Sequence, residues 1–406
     1  MSEAPHRDIV LFSSADWASK YWTNKQHIAA RLAARGHRVL YVETVGLRQP
    51  GLNTLDARRI AARLKRGLGP IRKVRDNLWT LSPLTIPFSH SAPGIRSVNS
   101  WQLRLRIQSW LSSHNIRYPL VWTYHPYMLD VVAAIGPSRL IYHCVDDLGA
   151  IPGIDRIAFR RAEHQLLMLA DAVFTTSHHL QQRCEAVAGR RAHYFGNVAD
   201  IAHFAKARTC TELPPDLATI ATPRLGYIGA LSDFKVDFGL LDAVAGAHPQ
   251  WHVVLIGEER EGQRDEDLAR LAQRPNVHLL GWKPYDELPR YLAGFDVALL
   301  PQRLNDYTRA MFPMKFFEYL AAGRPIVSTP LDALRDLSDY FKAAATPHSF
   351  ANAIAETLDA LPVPLPVDAP ILQQNSWDHR LDAMLAIVDG SPMRQAETGP
   401  VNLTSR

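Results

Sequence analysis

The sequence predicts an α/β protein made of two doubly wound lobes. Three observations carry this: a length of 406 residues, short apolar runs alternating with helical stretches, and a second such series that begins after a change of composition. A chain this long exceeds one typical core and divides comfortably into two. Its hydrophobic content of 47% and charged content of 21% are those of an ordinary globular protein.

The first series opens with Asp8–Ser14, a continuous apolar run that reads as a buried strand. Thr23–Arg35 follows with helical spacing (Ile28, Leu32), and Gly36 closes that helix before a second strand, His37–Glu43. Further strands are expected at Leu120–Tyr124, Arg139–Val145, Ala172–Thr176 and His193–Phe195, separated by helices such as Arg156–Ala170. Short buried strands between helices argue for a mainly parallel sheet. Around Lys206–Pro223 the composition turns to Thr, Pro and Ala, which reads as a linker. The second series then runs through Arg224–Gly229, Trp251–Gly257, Val277–Gly281, Asp296–Pro301 and Pro325–Thr329. A last amphipathic helix is expected at Trp377–Val388. The expected organisation is thus a first lobe over 1–205, a linker over 206–222 and a second lobe over 223–374. A helix over 375–390 crosses back to the first lobe, and a disordered tail occupies 391–406. Ligands of such sheets sit outside the carboxyl ends of the strands, so both lobes are expected to contribute loops to one interlobe cleft.

Charge and cysteine content narrow the function classes. No run of eighteen apolar residues is present, and the polar Met1–Asp8 lacks the apolar core of a secretory signal. Cys144, Cys184 and Cys210 lie far apart, in neither metal-ligand nor redox spacing. A cytoplasmic location is therefore expected. The net charge is +5, yet Leu55–Arg75 alone holds eight basic residues (Arg58, Arg59, Arg63, Lys65, Arg66, Arg72, Lys73, Arg75) against Asp56. The rest of the chain is slightly acidic. Such a cluster attracts a polyanion, whether an anionic membrane face, a phosphorylated acceptor or nucleic acid; the alternative is a solvated helix face.

The segment Pro313–Thr329 reads as loop, helix, glycine cap and buried strand. Lys315 and Glu318 are three apart on the first turn and share a face. A helix N-terminus with a lysine suits a diphosphate, and a carboxylate can accept both hydrogen bonds of a ribose diol. Tyr142-His143-Cys144-Val145-Asp146-Asp147 places two carboxylates just past a buried strand. Adjacent side chains diverge there, so one can act on substrate while the other positions a loop or caps the next helix. His125 ends another buried strand, and could contact a ligand or be structural. Asp16, Trp17 and Trp22 follow the first strand. Aromatic faces there can take carbohydrate, or pack between lobes.

Pro313-Met314-Lys315-Phe316-Phe317-Glu318-Tyr319-Leu320 resembles the donor-site signature of GT-B glycosyltransferases. The form is that of family four and of teichuronic-acid-type and xanthan glucuronosyl transferases. Gly281-Trp282-Lys283-Pro284-Tyr285-Asp286-Glu287-Leu288 and Phe295–Pro301 resemble the nucleobase-side segment. Tyr227-Ile228-Gly229 with Lys235 resembles the opening strand and its phosphate-side lysine. Phe195-Gly196-Asn197-Val198-Ala199-Asp200 with Phe204 is similar to the Asn-Gly-Val-Asp segment at the end of a first lobe.

The resemblance implies a nucleotide-sugar donor, UDP-linked, held by Gly229, Lys235, Trp282, Lys283, Met314, Lys315 and Glu318. It implies an acceptor, lipid-linked or saccharide, near Asp16, Trp17 and Trp22, with Asp146 as general base and His125 beside it. Two departures stand out. Ala310 replaces the family-four glutamate eight residues before Glu318, and Ala230 replaces the arginine after the strand glycine. They favour the xanthan-glucuronosyl-like group and inverting transfer, with retention still open.

Asp265-Glu266-Asp267 matches an Asp-x-Asp metal motif but opens a helix, so no metal or other cofactor is expected. No Gly-x-Gly-x-x-Gly, P-loop or Gly-x-Ser-x-Gly is present, against a dehydrogenase, an NTPase or a serine hydrolase. In this scheme the basic segment over 55–75 docks on the inner face of an anionic membrane, and no nucleic acid is bound. The same architecture also hosts sugar-nucleotide 2-epimerases, and a non-catalytic binding subunit is the other alternative.

Overall fold

The computed structural model describes residues 6–20, 22–43, 66–84, 93–150, 154–259, 266–309, 311–360 and 362–390. Ala310, Asp265, the expected tail over 391–406 and the basic residues Arg58, Arg59, Arg63 and Lys65 lie outside them. The chain forms two compact units. One comprises Met1–Phe195 with Leu381–Arg406, the other Gly196–Arg380.

The first unit is built on β1 (Asp8–Phe12), β2 (Arg38–Val42), β3 (Arg72–Arg75), β4 (Leu78–Leu81), β5 (Leu120–Thr123), β6 (Arg139–Cys144), β7 (Ala172–Thr175) and β8 (His193–Tyr194). Their order is β3-β4-β2-β1-β5-β6-β7-β8. All neighbours are parallel except β3 and β4. Ile9–Phe12, Val39–Val42 and Leu140–Cys144 are wholly buried, as strands covered on both faces must be.

The second unit is built on β9 (Arg224–Ile228), β10 (His252–Ile256), β11 (Val277–Gly281), β12 (Val297–Leu300), β13 (Ile326–Ser328) and β14 (Lys342–Ala343), in the order β11-β10-β9-β12-β13-β14. Every pair in it is parallel. In both sheets the chain steps outward from its first strand and then returns to that strand's other side. This creates switch points at β1/β5 and β9/β12, where the loops diverge and a ligand crevice opens.

The helix Asn24–Ala34 shows how local sequence sets these elements. Thr23 and Gln26 form a capping box at its start. At its end Gly36 (φ 88°) donates to Ala33 O at 3.0 Å and His37 N to Leu32 O at 3.2 Å. That pair of bonds needs a left-handed residue, which glycine supplies without strain.

Two expectations are corrected. The boundary falls between Phe195 and Gly196, so Gly196–Asp200 groups with the second unit rather than the first. Residues 206–222 are not a linker. They form the turns Lys206–Thr209 and Pro215–Ala218 and place Ala207, Leu217 and Ile220 in the second unit's core. Their Pro- and Thr-rich composition hid a few well-spaced apolar anchors. The described part of the basic segment is mixed: residues 66–68 are helical, and Arg72–Arg75 is an exposed edge strand paired antiparallel with β4. An edge strand with alternating or continuous charge resists further pairing. The final helix spans Trp377–Gly390, and its residues from Leu381 group with the first unit. Arg7 pairs with Asp389, and Arg35 donates to Asp382 at 2.6 Å.

Candidate functional site

The strongest candidate lies beside the β9/β12 switch point, on the helix Lys315–Ala321 between β12 and β13. Phe316, Phe317, Tyr319, Leu320 and Ala321 are buried and anchor it. The Tyr319 hydroxyl accepts from Ile228 N at 2.9 Å, tying the helix to the end of β9. Gly323 (φ 71°) closes it as Gly36 closes the first helix, with Gly323 N on Leu320 O and Arg324 N on Tyr319 O, both at 3.0 Å. Arg208, from the segment expected to be a linker, donates to Ala321 O at 2.7 Å, to Leu320 O at 3.1 Å and to Leu365 O. It satisfies last-turn carbonyls and opposes the negative end of the helix dipole.

On this frame the Lys315 ammonium donates to Glu318 Oε2 at 2.7 Å. Glu318 is 4% exposed. Burial pushes its carboxyl above the ordinary range, against the downward pull of Lys315 and, further off, His203. The helix has only seven residues, so the charge of Lys315 outweighs any helix field. Met314 is its N-cap residue and contributes no side-chain cap.

The approach to this helix is held by Asn197, Asp200 and Tyr285, which the sequence singled out, and by His203, which sequence reasoning missed. Asn197 donates from Nδ2 to Phe312 O at 2.7 Å, and Phe312 stacks on Phe317 at 5.7 Å. Asp200 caps the short helix Ile201–Ala205 by accepting from His203 N. The His203 ring stacks on Tyr285 at 4.5 Å with 8° between planes, while Nε2 meets Tyr285 O at 3.0 Å. His203 thereby ties the Gly281–Leu288 segment to the neighbourhood of Glu318. Its only signal in the sequence was its place three residues after Asp200.

The other expected donor residues distribute unevenly. Gly229 follows β9 and its N–H donates to Ile256 O at 2.9 Å; a Cβ there would meet the Tyr227 hydroxyl at 2.6 Å. Lys235 lies over the rings of Tyr307 (4.9 Å) and Phe234 (5.6 Å). Its loop is fastened to the turn after β12, since Arg303 N donates to Lys235 O at 2.8 Å. Ser232 Oγ and Gln302 Oε1 are buried at this edge without a hydrogen-bond partner among the described residues. Trp282 is half-buried just past Gly281 (φ 70°). Lys283 is committed elsewhere: its Nζ lies 2.5 Å from Asp216 Oδ2, and the Tyr291 hydroxyl donates to Asp216 Oδ1 at 2.9 Å. Against the upward push of burial, these two bonds hold Asp216 below the usual carboxylate range. That ion pair fastens Lys283 to the helix Pro215–Ala218.

In the first unit the two adjacent carboxylates part as expected for neighbours. Asp147 takes two hydrogen bonds from Arg160, both at 2.7 Å. Arg160 also reaches Glu163, which Arg183 (2.5 Å) and the Tyr142 hydroxyl (2.7 Å) join. Asp146 instead lies 3.8 Å from the ammonium of Lys25, whose side chain is only 7% exposed. Lys25 also stands over the Tyr124 ring at 5.7 Å. Sequence reasoning missed Lys25, because nothing in the first turn of its helix marks a lysine as buried. His125 is buried at the end of β5, with Thr123 Oγ1 donating to its carbonyl at 2.8 Å.

Asp16, Trp17 and Trp22 come together past β1. Trp17 N donates to Glu43 Oε1 at 2.8 Å, and Gln26 donates to Asp16 O at 3.0 Å. The two indoles lie 4.9 Å apart, and the Arg75 guanidinium covers both, at 5.7 Å from Trp17 and 5.0 Å from Trp22. Arg66 pairs with the Asp16 carboxylate at 3.1 Å.

Two Rossmann-like parallel sheets in one chain, the second carrying the Lys315–Glu318 pair beside its switch point, define the GT-B class of fold. Residues 222–360 match the family model described as glycosyl transferases group 1. The chain is 30% identical over 209 residues to TuaH of Bacillus subtilis (strain 168), named as a teichuronic acid biosynthesis glycosyltransferase. That match covers 48% of this chain and 51% of TuaH, so the chain spans about half the length of this curated relative. Among solved structures, sucrose-phosphate synthase from Thermosynechococcus elongatus superposes with a TM-score of 0.68 at 16% identity, over 95% of this chain and 98% of that one. HepE of Anabaena, solved in complex with UDP and glucose, gives 0.62 at 18% identity over 95% and 100%. WaaG, a glycosyltransferase involved in lipopolysaccharide biosynthesis, gives 0.58 at 13% over 94% and 100%. At these identities the structural likeness establishes the fold alone.

Proposed function

We propose that the protein is a glycosyltransferase that moves one sugar from a nucleotide diphosphate sugar, UDP-linked, to a lipid-linked or saccharide acceptor in cell-surface polysaccharide or glycolipid synthesis. The observation that carries this reading is the pair of Lys315 with the buried Glu318, on the helix beside the β9/β12 switch point within the segment that matches the glycosyl transferase model. HepE, solved with UDP-glucose, and TuaH, named for teichuronic acid biosynthesis, support the donor class and the pathway type respectively.

In this reading Glu318 accepts the ribose hydroxyls, and Lys315 turns from Glu318 toward the diphosphate when the nucleotide enters. Lys235 adds a second positive charge. Gly229 leaves room at the end of β9, and Trp282 and Tyr285 border the base. The first unit takes the acceptor along Asp16, Trp17 and Trp22, and Asp146 removes the proton of the attacking hydroxyl. Displacement at the anomeric carbon is then direct and inverting, and no metal or other cofactor takes part. The protein works at the cytoplasmic side of an anionic membrane.

A thermal-shift series with UDP-glucose, UDP-glucuronate, UDP-N-acetylglucosamine and GDP-mannose tests the donor. A ligand at a hundred times its Kd stabilises by roughly 2.7 kcal/mol, so the true donor raises Tm by several degrees. The reading fails if none of these shifts the wild type, or if Glu318→Ala shifts as much as wild type.

A further inference from the structure

The helix Pro93–Ser113 carries two different faces. Leu103, Ile107, Trp110 and Leu111 are buried against the first unit, as the inner face of an amphipathic helix should be. Val98, Trp101 and Leu105 stand three and four apart on the opposite side, and they are 54%, 61% and 45% exposed. Scattered apolar residues need no explanation, but an aligned stripe with a tryptophan marks a contact surface.

Its surroundings are basic. Arg106, on the flank of the helix, donates to Gly67 O and Gly69 O. This fixes the helical residues 66–68, with Leu68 75% exposed, beside the helix. The exposed edge strand Arg72-Lys73-Val74-Arg75 follows them. Arg104, exposed next to Leu105, adds another guanidinium. The acids of this stretch are Asp76, which pairs with Lys73 at 3.0 Å, and Asp16, which pairs with Arg66. Arg72 and Arg104 stay outside those pairs. Among the described residues no helix is long and apolar enough to cross a membrane.

We propose that the stripe Val98–Trp101–Leu105, with Leu68 beside it, seats in the interface of an anionic lipid bilayer, with Arg66, Arg72, Lys73 and Arg104 on the lipid headgroups. Apolar side chains framed by guanidinium groups match that boundary in both chemistry and depth: an indole prefers the headgroup level, and cations gain from the negative surface. A second copy of the chain would place like charges face to face across the same stripe, which disfavours it. This deepens the membrane part of the proposed function. It moves the principal contact from the charge of the 55–75 segment to a packed helix face.

Vesicle sedimentation of the full chain tests it, using phosphatidylcholine alone and phosphatidylcholine with 30% phosphatidylglycerol. Wild type is expected to partition onto the anionic vesicles and weakly onto the neutral ones. The double variant Trp101→Ser/Leu105→Ser should partition at least five-fold less, with unchanged Tm and an unchanged thermal shift by the nucleotide sugar. Arg72→Gln/Arg104→Gln should lose the preference for anionic vesicles. Binding equal to wild type in Trp101→Ser/Leu105→Ser overturns the proposal, leaving charge alone as the attraction. So does a wild type that ignores both vesicles but forms a dimer in light scattering that this variant abolishes. A failure of the glycosyltransferase reading appears separately, as a missing nucleotide-sugar shift in a protein that still binds vesicles.

Discussion

Lys315 and Glu318 form a 2.7 Å ion pair across one helical turn, with the carboxylate 5% and the lysine 25% exposed in their side chains. The pair is unequal: the acid depends on the base more than the reverse. Lys315→Met leaves a buried carboxylate without its cation. It is expected to lower stability by about 2 kcal/mol, below the usual cost of breaking a fully buried pair because the lysine reaches solvent. Adding Glu318→Gln to Lys315→Met should restore most of that loss while leaving donor binding absent. Urea unfolding together with nucleotide-sugar titration of both variants separates the structural role from the proposed ligand role. If Lys315→Met is as stable as wild type, the dependence described above does not exist.

Arg208 holds three carbonyl oxygens of the donor helix and its neighbour, those of Leu320, Ala321 and Leu365. Arg208→Ala frees all three at once and is expected to cost about 2 kcal/mol in urea unfolding, given that bonds to a charged group are each worth more than neutral ones. Arg208→Lys, with a point charge in place of a fork, should recover only part. Full recovery by lysine would show that charge near the helix end suffices and that the fork adds nothing.

The sequence made the strands legible because most are short apolar runs buried on both faces; β1, β2, β5, β6, β7, β8 and the five longer strands of the second unit fall within the ranges expected. The edge strands β3 and β14 escaped, and so did the inner strand β4. β3 is a run of Arg, Lys, Val and Arg with no apolar face, and β14 has two residues. The donor-site helix was legible through its signature and its glycine cap. Its supports were not. Arg208, His203 and Asp216 lie in a Pro-rich stretch or on a single-turn helix, where periodicity carries no information. Lys25 was hidden for another reason: its burial depends on Asp146, more than a hundred residues away, and no local pattern records such a partner.

His37 is 2% exposed and accepts a hydrogen bond at Nδ1 from Arg7 N, 3.2 Å away. Burial, with Arg7 and then His6 and Arg35 adding repulsion, lowers its pKa from 6.5 to about 4. An accepting Nδ1 must be unprotonated, in keeping with that direction. The unfolded chain therefore binds the proton first. Stability from this group is complete above pH 6.5 and lost as pH falls toward 4, by roughly 3 kcal/mol in all. Denaturant melts of wild type and His37→Gln between pH 7.5 and 4 should converge as the pH falls, the variant lacking this part of the slope. Parallel curves would show that His37 does not titrate differently on folding.

Asp146 and Asp147 are adjacent, yet substitution should separate them cleanly. Asp147→Asn loses half of the Arg160 fork and loosens a cluster that also holds Glu163 and Arg183. Its expected effect is on stability, with transfer by the folded fraction intact. Asp146→Asn should keep the nucleotide-sugar thermal shift while transfer falls by a factor of about 100 to 10,000, the range attributed to a general base. One complication comes from Lys25, whose buried ammonium lies 3.8 Å from Asp146. Removing the carboxylate takes one counter-charge from that ammonium, so a distorted site and a missing base must be told apart. Lys25→Met/Asp146→Asn resolves this, since it removes both charges together. If Asp146 is the base, the double variant regains stability and stays inactive. If activity returns with stability, Asp146 serves only to neutralise Lys25, and the proton acceptor must be sought elsewhere in the first unit.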